Sequence, residues 1–363
     1  MKFQQTSYTR FLFSGKFIVA LAGLTLIAAC KKSSTETPPV SSYGPSMSVV
    51  NLVSDNSLYA AIKTDTNLVN AWGIAISPNG RIWVSDAGTG VSTVYDGTGA
   101  TVIQPVIVTS EAKGVRGHPT GIVYNSTTDF MISKSGSPAK FIFAGLDGSV
   151  TAWNAGDSAV AVASKTGAVY TGLTMATQGG ANYLYAANNS QGTVDVLDNN
   201  FSFVNGWTFK DPSMPSGFAP YNVQNIGGLL YVTYAPNGTG SYGTNTTGGY
   251  VSIFNTDGTF VKRFASQGTL QSPWGIVQAP SGLGLGQGMI LVGSFTSGTI
   301  SVFDSNGNYK GMLNSAGTAV VIPGLWALVT SPTTATTLDV TAVYFAAGPS
   351  SQTHGIFGYI KVH

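Results

Sequence analysis

The chain has 363 residues, of which only 9% are charged; 17 Lys and Arg stand against 15 Asp and Glu, for a formal net charge of +2. So few cations form no face-sized basic cluster, which removes the electrostatic case for nucleic acid as a partner. The 46 glycines, and the lack of any sustained 3.6-residue apolar period after residue 30, exclude a helical bundle or solenoid, and a single cysteine excludes an internal disulfide.

The N-terminus reads as an address. Lys2, Arg10 and Lys16 make a basic stretch, Phe17 to Leu26 is an apolar segment short for a bilayer span, and Ile27-Ala28-Ala29-Cys30 follows at once. This resembles a bacterial lipobox, with residues 1–30 as a lipoprotein signal peptide. The resemblance implies that Cys30 is acylated and becomes the mature N-terminus. With Lys31 rather than Asp behind the cysteine, it implies an outer-membrane lipoprotein of the bacterial cell envelope, periplasmic or surface-exposed. Contact with the membrane is then through the lipid alone. Residues 31–46, KKSSTETPPVSSYGPS, are polar and Ser/Thr/Pro-rich and are expected to be a flexible tether.

Residues 47–363 read as one repetitive domain. MSVVNLVSDN (47–56) looks like a lone strand. LVNAWGIAISPNGRIWVSDAGTGVSTVYD (68–96) then sets the pattern: an apolar run opened by Trp72-Gly73, a Pro78-Asn79-Gly80 turn, a second run at Ile82-Trp83-Val84, a Gly-rich turn, and a third run from Val91 to Tyr95 closed by Asp96-Gly97. Such runs between Pro/Asn/Asp/Gly turns are antiparallel strands. The position of Trp72 recurs at Thr120, Thr171, Tyr221, Trp274 and Trp326. Second strands are assigned to FMISK, YLYAANN, LLYVTYAP, MILVGSF and VYFAAGP, and the third strands follow them. Six copies about 50 residues apart, each able to make four strands, predict an all-β fold, a six-bladed β-propeller of four-stranded antiparallel blades. The last copy stops after its third strand, GIFGYIKVH, so the strand at 47–56 is expected to supply the fourth and close the ring. Asp96-Gly97, Asp147-Gly148 and Asp257-Gly258 read as turns, and SGLGLGQG (281–288) as an inter-strand loop rather than a phosphate loop.

In such a blade the loop leading into the first strand and the loop between the second and third strands share a face. The first set brings Asn70, Trp72, His118, Thr120, Thr171, Tyr221, Asn222, Trp274 and Trp326 to that face, and the second brings Asp86, Lys134, Asn188, Asn189, Asn237 and His354. Aromatic and amide groups around a channel mouth suit a neutral polar ligand such as a glycan, or a peptide or protein. Equally, the tryptophans could pack between blades on their glycines. If they form a pocket, part of each ring should be accessible. Two histidines, His118 and His354, stand in non-adjacent copies and could ligate a metal only across the channel with help from Asp86 or an Asn, where zinc usually takes three or four ligands. No cofactor is expected; calcium, whose oxygen ligands leave no spacing signature, is left open. A monomer is expected.

The strings DTNLVNAWGIAISPNGRIWVSDAGTG, NLVSDN, GHPTGIVYN, SPWGIVQAP and HGIFGYIKV resemble those of exported bacterial propellers of the NHL-repeat and SMP-30-like type, from about residue 48 to the end. The wider class includes calcium-dependent lactonases and zinc-dependent lyases, but their carboxylate and histidine patterns do not map onto this chain, so no catalytic residue is carried over. Two functions compete. One is a surface-anchored binding or scaffold module. The other is a divalent-metal-dependent hydrolase or lyase with its site at the propeller's centre.

Overall fold

A computed structural model describes residues 41–112, 114–237 and 248–363. The expected signal peptide, Cys30 and the expected tether up to residue 40 lie outside the described residues. Six antiparallel sheets follow one another along the chain. Their inner strands are Ala71–Ile76, Pro119–Tyr124, Tyr170–Gln178, Phe218–Ile226, Pro273–Gln278 and Leu325–Thr330; each touches the next, and the last returns to the first. The fold is the six-bladed β-propeller expected.

Burial on both faces explains the strand composition. In blade 1 every residue of Ile82–Asp86 and Val91–Tyr95 is buried, because each blade packs on a neighbour at either side. The runs are therefore continuously apolar or small rather than cleanly alternating. The core lies between blades: Ile142 and Val150 of blade 2, for example, share a cluster with Tyr170, Leu184 and Leu197 of blade 3. In blades 3 and 4 the first hairpins turn through Gly179-Gly180 (φ 59° and 84°) and Gly227-Gly228 (φ 63° and 85°). A two-residue turn that continues the strand twist needs both dihedrals positive, which glycine supplies without steric cost. Left-handed glycines also follow Asp147 and Asp257, whereas in the turn after Asp96 that role falls to Gly99.

Ring closure is as expected. Met47–Ser54 pairs antiparallel with Ile356–Val362, from Met47 opposite Val362 to Ser54 opposite Ile356, and completes blade 6. The last residues of the segment expected to be a tether, 31–46, are however structured. Ser42–Tyr43 pairs in parallel with Met312 and Leu313 on the outer strand of blade 5. Asn314 donates to the Gly44 carbonyl (3.2 Å), and the Ala316 N–H to Ser46 Oγ (2.8 Å). Polar side chains hid this strand, because its partners are backbone groups.

Blade 2 corrects a second assignment. Its second and third strands are Phe141–Gly145 and Ser149–Trp153, while Met131–Ile132 pairs only with Ser137–Pro138 in a small inserted hairpin. Lys134, at the tip of that hairpin, therefore lies in the loop between first and second strands, on the opposite face from the one assigned to it.

Candidate functional site

The six residues that open the inner strands share one local irregularity. In every blade the pairing between first and second strands slips at this point, between Ala71 and Ile74 in blade 1 and between Leu325 and Leu328 in blade 6, for instance. A bulge of this kind re-aims the side chain it carries. The next residue is glycine in four blades for a steric reason. A Cβ on Gly73, Gly121 or Gly172 would come within 2.2 Å of the neighbouring blade, and one on Gly275 within 2.5 Å of the Trp326 carbonyl oxygen. The inner strands thus crowd together where the large side chains converge.

Those side chains fill the axis. Trp72 and Trp326 stack at 3.7 Å between ring centroids, 13° from parallel. Phe295 lies 4.0 Å from Trp326, Tyr221 5.7 Å and Trp274 6.1 Å. Sequence reasoning correctly grouped the four leading rings and missed Phe295, whose signal was its place in the second-to-third loop of blade 5. The accessibility expected of a pocket is absent: Trp72 and Trp326 are 0% exposed, Tyr221 2% and Trp274 5%. The rings form a plug. A channel ringed by only six strands is narrow enough for four large aromatics to close, so they bury apolar area on one another.

The polar candidates are occupied in holding blades together. Trp326 Nε1 donates to Asn70 Oδ1 (3.0 Å), and Trp274 Nε1 reaches past blade 4 to the Thr171 carbonyl (2.7 Å). Asn222 Nδ2 donates to the Trp274 carbonyl (2.9 Å), Thr120 Oγ1 to that of Tyr170 (2.7 Å), and Asn189 Nδ2 to that of Pro220 (3.1 Å). Asn188 Nδ2 donates to Asp195 Oδ2 (2.8 Å) within blade 3. The Asn237 N–H donates to the Gly217 carbonyl (2.7 Å). His118 is exposed, with Nδ1 2.8 Å from the Ala87 carbonyl.

Asp86 is completely buried and accepts from the Thr93 N–H at 2.9 Å through Oδ2, while Oδ1 has no partner among the described residues. Burial pushes its carboxyl well above the usual carboxylate range, against the opposing hydrogen bonds of Thr93. His354 sits at the rim, half-buried, with Nδ1 2.7 Å from Asp55 Oδ2. This pair joins the end of the closing strand to the start of the last one.

Beside the plug only about 20 Å3 is free, next to Trp274 and Asn222, room for a single water. The other end of the channel is open. A cavity of about 450 Å3 is lined by the far ends of the same six inner strands, with Ile74, Ile122, Leu173, Ile226 and Val329 as an apolar wall and Thr174, Gln224, Asn225, Gln278 and Thr330 as polar groups. Asn225 is engaged, donating to the Met175 carbonyl and accepting from the Gly228 N–H. The Gln224 and Gln278 amides make no hydrogen bond within the protein among the described residues, and Gln278 is exposed. No sequence signal marked them, since position on a strand, rather than residue type, places them at the opening.

The residues at the centre do not fit a catalytic metal. No Asp, Glu, His or Cys lines the open cavity, and among the described residues no three such groups gather at one point.

Fold and channel together define a six-bladed β-propeller. The structure superposes on virginiamycin B lyase from Staphylococcus aureus with a TM-score of 0.51 (11% identity, covering 87% of this chain and 99% of that one). It superposes on a gluconolactonase from Xanthomonas campestris with a TM-score of 0.50 (15% identity, 82% and 88%). No family model matches the sequence. The chain belongs to the family of two proteins of Acanthamoeba polyphaga mimivirus, "Uncharacterized protein R648" and "Uncharacterized protein L690". It is 34% identical to each, over 89% of this chain and 83% of the first, and over 88% of both chains for the second.

Proposed function

We propose that the protein is a binding module that holds a neutral, hydrogen-bonding stretch of a glycan at the open end of its central channel. The observation that carries this reading is the pair of unengaged amides, Gln224 and Gln278, on adjacent blades at the edge of a cavity of about 450 Å3 with apolar walls. Carboxamides both donate and accept, as sugar hydroxyls do, and a largely preformed apolar cavity with a few polar groups is the usual form of a ligand site. The site is thus moved to the face opposite the one the sequence suggested. Screening against neutral oligosaccharides, then titration calorimetry of the strongest binder, tests it. Gln224→Ala and Gln278→Ala should each weaken binding by up to about tenfold, the worth of a neutral hydrogen bond or two. Unchanged affinity in both variants, or no binding oligosaccharide, would remove the reading.

The membrane attachment we propose rests on residues 1–30: acylation of Cys30 and retention in a bacterial envelope. Cys30→Ser should then move the protein from the membrane to the soluble fraction with its thermal melt unchanged, since the ring begins well after the cysteine. Continued sedimentation with membranes would refute the anchor.

One observation favours a hydrolase or lyase instead. With Nδ1 of His354 held by Asp55 at 2.7 Å and close to Asn56 Nδ2 at 2.8 Å, Nε2 has no hydrogen-bond partner among the described residues and could act as a base, at the rim rather than at the centre. Turnover of a lactone panel that is lost in His354→Ala and kept in Gln278→Ala would place the function there. Asp86 is no candidate acid for it, being sealed from any ligand.

A further inference from the structure

A second cavity of about 460 Å3 lies between blades 1 and 2, on the same face as the open channel. Its aromatic lining comes from both blades. Trp83 stacks on Phe141 at 4.1 Å and meets Trp153 at 4.6 Å, and Tyr124 meets Phe141 at 5.3 Å. Trp83 and Phe141 are buried, while Trp153 and Tyr124 are half-buried and offer ring surface. The Trp153 indole N–H is already used, donating to the Gly156 carbonyl (3.0 Å), which fixes the ring and leaves it an apolar platform.

Two exposed cations, Arg81 from blade 1 and Lys140 from blade 2, also line the cleft, and neither belongs to an ion pair among the described residues. Arg81 acts on the Asp96 carboxylate, whose own turn hydrogen bonds from Thr98 act on it more strongly. Tyr124 lines both this cleft and the channel cavity, so the two adjoin.

A flat apolar platform flanked by two unpaired cations matches a ring that carries a carboxylate: the sugar's C–H face packs on the aromatics, and the carboxylate meets the guanidinium and ammonium groups. We propose that the cleft is an accessory subsite for a uronate unit of the same glycan whose neutral stretch occupies the channel. This rests on the binding reading above and names its ligand class, an acidic oligosaccharide reaching past Tyr124.

The probes are hexagalacturonate, its methyl-esterified neutral counterpart and hexaglutamate, titrated at low salt into the wild type, an Arg81→Gln/Lys140→Gln double variant, Trp153→Ala, Gln224→Ala and Gln278→Ala. The wild type should bind hexagalacturonate at least tenfold more tightly than the ester. The double variant should lose that preference while binding the ester as before, and Trp153→Ala should weaken hexagalacturonate severalfold. Both exchanged cations are exposed, so the double variant should melt with the wild type. Wild-type affinity for hexagalacturonate in the double variant overturns the subsite. Equal or tighter binding of hexaglutamate overturns its assignment to a sugar. If Gln224→Ala and Gln278→Ala both leave the affinities unchanged while the double variant still loses the acid, the channel reading fails and the cleft stands. If no probe binds the wild type, the subsite falls.

Discussion

Deletion of residues 47–54 should abolish the soluble monomer. The strand contributes the whole ladder from Met47 opposite Val362 to Ser54 opposite Ile356, and buries Met47, Leu52 and Val53 to 2%, 2% and 0% exposure. Each such side chain contributes about 1.5–3 kcal/mol. Together with the ladder bonds, that approaches the total stability of roughly 5–15 kcal/mol typical of a domain. The deletion also bares Ile356–Val362 as a new sheet edge, a template for pairing with another chain. Aggregates or large oligomers on size exclusion are the expected result. Truncation to residue 40 should leave both elution and melting temperature unchanged. Truncation to residue 44 should lower the melting temperature, because it removes the Ser42–Tyr43 pairing with blade 5. A soluble monomer with a wild-type melt after loss of 47–54 would mean that this strand does not close the ring.

The ring and its closure were legible because repetition is a property of sequence. Six copies at a steady interval, the last one lacking a strand that the N-terminus could supply, leave few alternatives. Blade 2 was misread for a local reason. FMISK and FIFAG are both short runs of strand-forming residues that follow the inner strand, and the nearer one was taken. The discriminating signal was the turn behind it: Phe141-Ile142-Phe143 leads into Leu146-Asp147-Gly148 and then Ser149–Trp153, a match to Ile82-Trp83-Val84 before Val91–Tyr95, whereas Met131 is 47% exposed and nothing after it matches a third strand.

The site was harder to read, because sequence shows which groups are present and hides what they touch. Asn222, Thr120 and Asn189 have the chemistry of ligand contacts, yet each finds a carbonyl on an adjacent blade. A buried donor left unpaired costs more than one in water, so crowded inner strands recruit such residues as cross-ties. The face itself was chosen because the aromatic and amide residues collect on it. Whether a channel is open at one end or the other depends on side-chain volume summed over six strands, and no single stretch of sequence reports that sum.

Replacing Trp326 by alanine decides between a plug and a pocket. The ring is 0% exposed, stacked at 3.7 Å on Trp72 and packed at 4.0 Å on Phe295, with Tyr221 and Trp274 within 6.1 Å. Removing a buried aromatic of this size costs about 3–5 kcal/mol, since the transfer free energy is lost and the surroundings only partly collapse. The Asn70 Oδ1 that accepts its indole N–H at 3.0 Å would be left without that donor in a buried setting, which adds about 1–3 kcal/mol. Asn70 is held in a left-handed conformation (φ 50°), so losing this partner also loosens the loop that leads into blade 1. Urea unfolding should show the drop as a lower midpoint. Trp326→Phe, which keeps a ring and loses the donor, should fall between the two. Ligand affinity of the folded fraction should be unchanged in both variants, because the open cavity lies at the other end of the channel. If Trp326→Ala instead keeps wild-type stability and loses ligand, the aromatic end is the binding site and the amide end is not.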